Sequence, residues 1–283
     1  VQTCCSSDRE WCEEPSNFRC EKGLDDYLKE NNIIGVYGVD TREITKTIRE
    51  AGVMNAIITS NPATVDYGKL KAYKVKDAVK SVSCTKPYMS ASQEHKYNVV
   101  LIDYGTKKNI IRELNKRGCN VAVVPYNTKA QDILSLNPDG IMLSNGPGDP
   151  KENVEAIEEL KKLFGNVPIF AICLGHQLLA LSQGGETTKL KYGHRGVNQP
   201  VKNLETGRTY ISSQNHGYAV VNEEIEKTGA KVSYINANDG TCEGVDYPGK
   251  NAFSVQFHPE ACSGPHDTRF IFDKFIEMMG GNK

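Results

Sequence analysis

The chain has 283 residues, of which 39% are hydrophobic and 24% are charged, and its formal net charge is −1. A chain of this size and composition is an ordinary globular protein of one or two domains, and the balanced charge argues against nucleic acid as a partner. No apolar run approaches the ~20 residues that a membrane-spanning helix needs, and no secretory leader is visible, so we expect no membrane partner and a cytoplasmic location.

The first 80 residues are predicted to form a small α/β region. The expected elements, in chain order, are an irregular segment over 1–20, a helix over 21–31, a strand over 33–39, a helix over 40–50 and a strand over 53–59. Asp40 and Glu43 have the spacing of a capping box, and Gly52 provides a stop after the second helix.

Residues 81–96 are predicted to be a linker, because they are polar and contain Pro87 and four serines. From residue 97 to 283 strand and helix patterns alternate. The expected strands lie at 98–102, 120–124, 141–144 and 167–172, and the expected helices at 106–117, 129–136, 154–164 and 266–279. Such alternation predicts an α/β fold with a doubly wound, mainly parallel sheet and functional residues at the strand carboxyl ends.

The most informative segment is 167–181, a short apolar run followed at once by leucines at helical spacing. This pattern predicts a buried strand that turns at Cys173 into a helix. A strand-to-helix turn exposes the side chain at its apex, which is how α/β hydrolases present their nucleophile. The helix N-terminus would also stabilise a thiolate. Cys173 is therefore a candidate nucleophile, although free cysteines are also common in protein cores.

A candidate base lies far downstream of this cysteine. Alternating apolar residues from Phe253 to Phe257 predict a strand with one buried face, and His258 follows near its carboxyl end. Histidine exchanges protons near neutral pH, and Glu260 can accept a hydrogen bond from its ring. A His-Pro-Glu triplet also occurs in surface turns, so it is the combination with the cysteine turn that favours catalysis.

The loop at 143–150 follows a predicted strand and is rich in glycine and proline. Gly146 and Gly148 would let backbone N–H groups approach a ligand closely, and two such groups make an oxyanion hole. An ordinary turn between a strand and a helix would use the same residue types. No Gly-Lys-Ser or Gly-Lys-Thr follows, so the loop does not indicate a nucleotide phosphate site.

Cysteines and histidines elsewhere give no metal-site pattern. The nine cysteines include four near the start, Cys4, Cys5, Cys12 and Cys20, without Cys-x-x-Cys spacing, which favours free thiols in a reducing cytosol over a disulfide framework. The remaining candidate ligands are His176, His194, His216 and His266. They form no His-x-x-x-His pair and few carboxylates accompany them, so we predict no metal in this chain.

Taken in this order and at these separations, the three segments resemble class I (triad-type) glutamine amidotransferases. Within that class, the chain is most similar to the small, glutamine-hydrolysing subunits of carbamoyl-phosphate synthetases. The segments that carry the resemblance are 101–110, 144–150, 171–177, 192–201, 214–219 and 258–267. The resemblance covers about 13–279, and residues 1–80 resemble only the last part of the smaller N-terminal α/β domain of that family.

The resemblance implies a role for each matched residue. Cys173 would be the nucleophile, His258 the acid and base, and Glu260 the carboxylate that orients the histidine. The backbone N–H groups of Leu174 and Gly146 would hold the oxyanion. The glutamine pocket would be lined by Gly146, Gly148, Gln177, Asn215, Gly217 and Tyr218.

The implied activity is release of ammonia from L-glutamine through a γ-glutamyl thioester. No cofactor is expected in this chain, since ATP and Mg²⁺ would act with bicarbonate on a separate large synthetase subunit, in arginine or pyrimidine biosynthesis. Two other interpretations remain open from the sequence. One is the glutaminase of another class I system, such as anthranilate or GMP synthesis, and the other is a non-catalytic docking subunit.

Overall fold

The computed structural model describes residues 5–8, 10, 12–18, 20–262 and 264–280. The chain divides into two compact units, Val1–Tyr73 and Lys74–Lys283. Within the described residues, no helix is both long enough and apolar enough to cross a lipid bilayer. The predicted free thiols are present at Cys12 and Cys20, which are exposed, whereas Cys4 lies outside the described residues.

The described residues of the first unit form a two-stranded parallel sheet and three α-helices. Its elements are β1 (Cys5–Asp8), α1 (Leu24–Glu30), β2 (Ile34–Tyr37), α2 (Thr41–Ala51), a 3₁₀ turn (Pro62–Thr64) and α3 (Tyr67–Ala72). The predicted cap of α2 is confirmed, because the Asp40 carboxylate accepts a hydrogen bond of 2.9 Å from the Glu43 N–H. Gly52, at φ +87°, follows the last residue of α2.

Two predictions for this unit were wrong. Residues 1–20 are not wholly irregular, since β1 pairs with β2. The strand predicted over 53–59 is not formed, although its apolar composition suggested one. Val53, Ile57 and Ile58 are each about half exposed, and no described strand lies alongside them to pair with. Apolar residues favour a strand only where a neighbouring strand and a buried face are available.

The second unit continues with alternating strands and helices. Its elements up to the cysteine turn are α4 (Ala78–Val82), β3 (Tyr88–Ser90), β4 (Tyr97–Asp103), α5 (Lys108–Lys116), β5 (Cys119–Pro125), α6 (Ala130–Ser135), β6 (Gly140–Leu143), a 3₁₀ turn (Pro150–Glu152), α7 (Val154–Leu163) and β7 (Ile169–Ile172). The elements that follow are α8 (Leu174–Ser182), β8 (Thr187–Asn203), β9 (Thr209–Val220), α9 (Asn222–Glu226), β10 (Lys231–Asn236), β11 (Cys242–Tyr247), β12 (Ala252–Val255) and α10 (Phe270–Gly280).

The second unit is organised around one sheet in the order β3-β5-β4-β6-β7-β12-β11-β10-β8-β9. The strands from β5 to β12 in that order run parallel, whereas β3 and the strands beyond β12 pair antiparallel. Apolar residues of α6, α7 and α8 pack on one face, and those of α5 and α10 pack on the other. The predicted α/β, doubly wound fold is therefore confirmed, and it places β7 directly beside β12.

The segment predicted as a linker, 81–96, lies inside the second unit. Its residues Tyr88–Ser90 form β3, which pairs antiparallel with β5, and the Cys84 N–H donates to the Asp103 carboxylate at 2.8 Å. The boundary between the units falls earlier, between Tyr73 and Lys74. A three-residue strand of mixed composition has too little periodicity to be distinguished from a loop by sequence.

Candidate active site

Cys173 occupies the turn between β7 and α8 in a strained backbone conformation. Its φ of +55° and ψ of −105° are unusual for a residue with a side chain. The Cys173 N–H donates to the Val255 carbonyl of β12 at 2.9 Å, and the Gly175 N–H donates to the Ser144 carbonyl at 3.1 Å. These bonds hold the turn between two strand ends. The cysteine is 5% exposed, so its thiol is shielded from bulk water.

His258 follows β12 and brings its ring to the thiol. The His258 N–H donates to the Ser213 carbonyl at 2.9 Å, which fixes the backbone just past the strand. The ring interacts electrostatically with the Cys173 side chain, and its Nδ1 lies 2.7 Å from Glu260 Oε1. Because an ionised carboxylate only accepts, Nδ1 carries a proton and Nε2 is the nitrogen left for the sulfur. Three residues predicted from sequence therefore lie in one line of proton contacts.

At His258 and Glu260, the neighbouring charges shift the pKa in the direction opposite to the effect of burial. Burial alone would lower the pKa of His258, but the charges of Glu260 and Cys173, with hydrogen bonds to both, raise the pKa of His258 to about 10. Burial alone would raise the pKa of Glu260, but the charge and hydrogen bond of His258 and the charge of Lys107 lower it. This environment favours an imidazolium beside the ionised carboxylate of Glu260.

Two residues that the sequence analysis did not assign to the site hold Glu260. Lys107 Nζ lies 3.4 Å from Glu260 Oε1, and the Asn109 side-chain amide donates to the Glu260 carbonyl. Both residues lie in or beside the first turn of α5, within the matched segment 101–110. Since Glu260 is 1% exposed, Lys107 is a second cation, besides His258, beside a buried carboxylate, and the Asn109 bond fixes the backbone that carries it.

Two backbone donors lie beside the cysteine. Leu174 is the first residue of α8, and helices leave such N–H groups without an intrahelical partner. Gly146 is adjacent, since a Cβ there would stand 2.7 Å from Leu174 Cδ2 and 2.3 Å from the Tyr104 carbonyl oxygen. Among the described residues, neither N–H donates to a protein acceptor. Only glycine fits at 146, and the pair can hold an anion.

The other predicted pocket residues lie on the loop 143–150, on α8 and on β9. The Gln177 side-chain amide donates to the Tyr218 carbonyl and to Gln256 Oε1, both at 2.8 Å. Tyr218 is hydrogen-bonded to Asp149 in the loop; burial and this contact raise the pKa of Tyr218 to about 12. Gln177 is 3% exposed, so it braces the wall rather than offering its amide to a ligand.

A cavity of about 580 Å³ opens beside His258. It is lined by His258, Glu260 and Asn215 among the predicted residues, and by Lys107, Arg112 and Arg195 among the cations. Cys173, Gly146 and Gly148 do not line it. The cavity therefore reaches the imidazole but not the cysteine turn.

The four histidines considered as metal ligands occupy different environments. His176 is fully buried, with Nδ1 2.8 Å from Ser254 Oγ, and burial lowers the pKa of His176 to about 3. His266 is exposed. His194 and His216 converge on Glu243, a residue that the sequence analysis did not single out because it is 49 positions from His194 and lies in an ordinary strand pattern.

Comparisons with known proteins show which families this chain matches. The family Glutamine amidotransferase class-I matches residues 100–278, and the family Carbamoyl-phosphate synthase small chain, CPSase domain, matches residues 7–58. A carbamoyl phosphate synthase small chain of Bacillus cereus is 54% identical over 95% of this chain and 74% of its own length. Proteins of the same name from Clostridium perfringens and Staphylococcus saprophyticus are 50% and 49% identical over 95% and 97% of this chain, and over 76% and 75% of their own lengths.

A solved structure supports the fold. A Thermoplasma acidophilum protein described as part of a GMP synthase superposes with a TM-score of 0.57 over 67% of this chain and 97% of its own. Its sequence is 22% identical, so this likeness concerns the fold alone.

Proposed function

Since the chain belongs to the class I glutamine amidotransferases and, among them, to the carbamoyl-phosphate synthase small chains, we propose that it is the glutamine-hydrolysing subunit of a carbamoyl-phosphate synthetase. The observation that supports the activity most directly is the line from Cys173 through His258 to Glu260, at the ends of the neighbouring strands β7 and β12. A docking subunit without catalysis would not need this strained turn or its buried ion pair.

In the first half of the reaction, the Cys173 thiolate attacks the side-chain amide carbon of L-glutamine. A C–S bond forms, and the carbonyl electron pair moves to oxygen, where the N–H groups of Leu174 and Gly146 stabilise the negative charge. When the intermediate collapses, the C–N bond breaks and the His258 imidazolium gives its proton to the leaving nitrogen. Ammonia departs and a γ-glutamyl thioester remains on Cys173.

In the second half, His258 is neutral and accepts a proton from water as the water oxygen attacks the thioester carbon. The same two N–H groups hold the second oxyanion. Collapse breaks the C–S bond and releases glutamate, and the thiolate and imidazolium are restored. Glu260 remains ionised throughout and keeps the Nδ1 proton on the side away from the sulfur, which is the role of the acid in serine-type triads.

The proposal divides the overall reaction between this chain and a partner subunit. The glutamine pocket is formed or supported by Gly146, Gly148, Gln177, Asn215, Gly217 and Tyr218. The proposed amidotransferase domain, 97–283, lies wholly within the second unit, and all but the last seven residues of the proposed N-terminal domain, 1–80, lie in the first. ATP, Mg²⁺ and bicarbonate act on a separate large synthetase subunit in the cytoplasm, which receives the ammonia. The match of residues 7–58 to the small-chain domain favours this system over anthranilate or GMP synthesis.

The test uses a chloroketone analogue of glutamine with the whole chain. We expect stoichiometric alkylation of Cys173, protection by L-glutamine, and loss of glutamate release by on the order of 10⁴-fold or more in Cys173→Ser. The matched control is Cys20→Ser, which removes an exposed thiol of the first unit and leaves labelling and turnover unchanged. Glutamate release that persists in folded Cys173→Ser, or labelling that glutamine does not protect, would rule out the assignment.

A further inference from the structure

We propose that His194, His216 and Glu243 bind one divalent transition-metal ion, with Zn²⁺ as the best-matched ion, on the β8–β9 ribbon. His194 and His216 face each other as register partners of the two strands, and Glu243 reaches them from β11. These three residues are called the ribbon cluster below. The cluster is separate from Cys173, His258 and Glu260, which are called the catalytic line below after their proposed role. Its ability to bind metal does not depend on the proposed function.

The distances within the ribbon cluster suit a tetrahedral metal. His194 Nδ1 lies 3.2 Å from His216 Nε2 and 3.2 Å from Glu243 Oε1, and the third edge of the triangle, between His216 and Glu243, is 3.7 Å. A Zn²⁺ ion with bonds of about 2.0–2.1 Å holds its ligand atoms roughly 3.3 Å apart. An ion placed slightly out of the plane of the triangle can therefore bond all three atoms without moving them far.

Outer hydrogen bonds fix which nitrogens face the centre. His216 Nδ1 lies 2.8 Å from the Tyr218 carbonyl oxygen, which can only accept, so Nδ1 carries the proton and Nε2 presents a lone pair. His194 Nε2 lies 2.8 Å from the Asp239 carboxylate, so neutral His194 presents its lone pair at Nδ1. This is the arrangement of metal-binding histidines, whose far nitrogen donates to a carbonyl or a carboxylate.

With His194 neutral, three acceptors therefore converge without a strong donor between them. The Asn236 side-chain nitrogen is 3.5 Å from His194 Nδ1, at the limit of hydrogen bonding. Glu243 is fully buried, its Oε2 has no hydrogen-bond partner, and its only ion pairs among the described residues are with the two histidines. A buried carboxylate in this position needs a positive charge at the centre of the cluster.

The donor set and its burial define the kind of site. Two imidazoles and a carboxylate suit Zn²⁺ and neighbouring transition metals better than Mg²⁺ or Ca²⁺, which prefer all-oxygen ligands. Gln214 Oε1, 3.2 Å from His216 Nε2, is available as a fourth ligand. Since little of the cluster reaches solvent, the ion would be structural, and it would hold β9 in place where this strand carries the proposed pocket residues Asn215 and Gly217 on either side of His216.

Metal analysis tests the proposal directly. The whole chain is stripped with a chelator, its accessible thiols are alkylated, and it is equilibrated with Zn²⁺ before measurement by mass spectrometry. We expect about one equivalent in the native sequence, and at least a tenfold weaker affinity in Glu243→Gln and in His194→Asn. His95→Asn is the matched control, because His95 is exposed and its ring is hydrogen-bonded to Asn98, at 3.0 Å, away from the ribbon cluster.

A second measurement uses the native sequence alone, so it does not depend on whether the variants fold. The native sequence loaded with Co²⁺ should show the intense visible bands of a tetrahedral site without a thiolate charge-transfer band. Binding below about a tenth of an equivalent, or equal affinity in Glu243→Gln and His95→Asn, would overturn the proposal. A His194 ring resonance that responds to pH but not to Zn²⁺ would also overturn it, because a proton would then fill the cluster.

One consequence rests on the proposed function. Removal of the ion from unalkylated protein should raise KM for glutamine several-fold while leaving kcat nearly unchanged, since only the pocket wall is loosened. Metal binding without any effect on KM would leave the site intact and remove its connection to the pocket. Metal binding in a chain that hydrolyses no glutamine would contradict the proposed function but not the site.

Discussion

The proposed catalytic line and the ribbon cluster both contain histidine and glutamate, but they arrange these residues differently. In the catalytic line, donors and acceptors alternate from Cys173 through His258 to Glu260, so one proton has a defined path. In the ribbon cluster, two lone pairs and a carboxylate oxygen point at one another. Histidine and glutamate therefore do not define chemistry by themselves. His258 and His194 each hold a carboxylate on the far side of the ring. The group that faces the near nitrogen, a cysteine in one case and an imidazole with a carboxylate in the other, therefore distinguishes the two sites.

The two regions also differ in how the backbone assembles them. The catalytic residues project from the carboxyl ends of parallel strands, where loops converge from separate parts of the chain. The ribbon histidines are a cross-strand pair of antiparallel β8 and β9, with ring centroids 4.9 Å apart. Cross-strand pairing brings side chains together through register alone. A one-residue slip of that register would dismantle the cluster.

The contrast between the two regions requires that the charge of Glu260 matters for catalysis, and neutralising this carboxylate tests it. We expect Glu260→Gln to lower kcat by about 10²-fold and His258→Asn by about 10⁴-fold, because orientation is lost in the first variant and the proton carrier in the second. The charge of Glu260 helps to raise the pKa of His258 to about 10. In Glu260→Gln the alkaline limb of the kcat profile should therefore move to lower pH.

Glutamate release across a pH series measures both effects. Glu94→Gln, which neutralises an exposed carboxylate of a surface ion pair, is the matched control and should reproduce the native profile. An unshifted alkaline limb in Glu260→Gln would mean that this carboxylate does not set the protonation of His258.

A second variant tests the anion site of the catalytic region, for which the ribbon cluster has no counterpart. Gly146→Ala would place a methyl group 2.3 Å from the Tyr104 carbonyl oxygen, so the loop must move and its N–H must turn away from the oxyanion. Loss of one such donor costs roughly 10²–10³-fold in kcat. Gly23→Ala, whose Cβ would meet its nearest atom at 3.6 Å, is the control. A native kcat in folded Gly146→Ala would exclude this N–H from catalysis.

The smallest effect concerns His176, a buried histidine with neither a carboxylate nor a thiol beside it. The unfolded chain takes up a proton at this position below about pH 6.5, whereas burial lowers the pKa of the native ring to about 3. Stability therefore falls as the pH drops through this window, with a slope of about 1.4 kcal/mol per pH unit from this residue. His176→Asn should flatten the acid side of the stability curve by that amount.

Urea unfolding at several pH values between 4 and 7 provides the measurement for His176. The slope is compared with that of His95→Asn, which removes an exposed histidine. Parallel curves for the two variants would show that the buried ring protonates freely, and the contrast with His258 would then lie only in the partners and not in burial.

The sequence predicted the catalytic line because its signals are local. A cysteine between an apolar run and a leucine-rich helix, and a histidine after an alternating strand, each lie within about ten residues, and the family resemblance joins them. Glu243 could not be found in this way, since only the register of β8, β9 and β11 brings it to the histidines. Long-range pairing leaves no periodic trace in a single sequence.

The fold shows the same division between local and distant signals. The βα units of the second unit were predicted to within a few residues, because apolar periodicity and glycine stops mark them. The short strand β3 and the compact-unit boundary after Tyr73 were missed, because both depend on which segment lies beside which. The helix expected from residue 266 begins at Phe270, since residues before it form turns.

The side-chain amide of Gln177 links β9 to the segment that follows β12. One N–H holds the carbonyl of Tyr218 on β9, and the other holds Gln256, two residues before His258. In the proposed pocket, a movement of β9 on glutamine binding would therefore act on the chain that carries His258. Through Gln177, glutamine binding and the position of the His258 ring would be coupled. The ring need not have the same position in the empty and in the occupied enzyme.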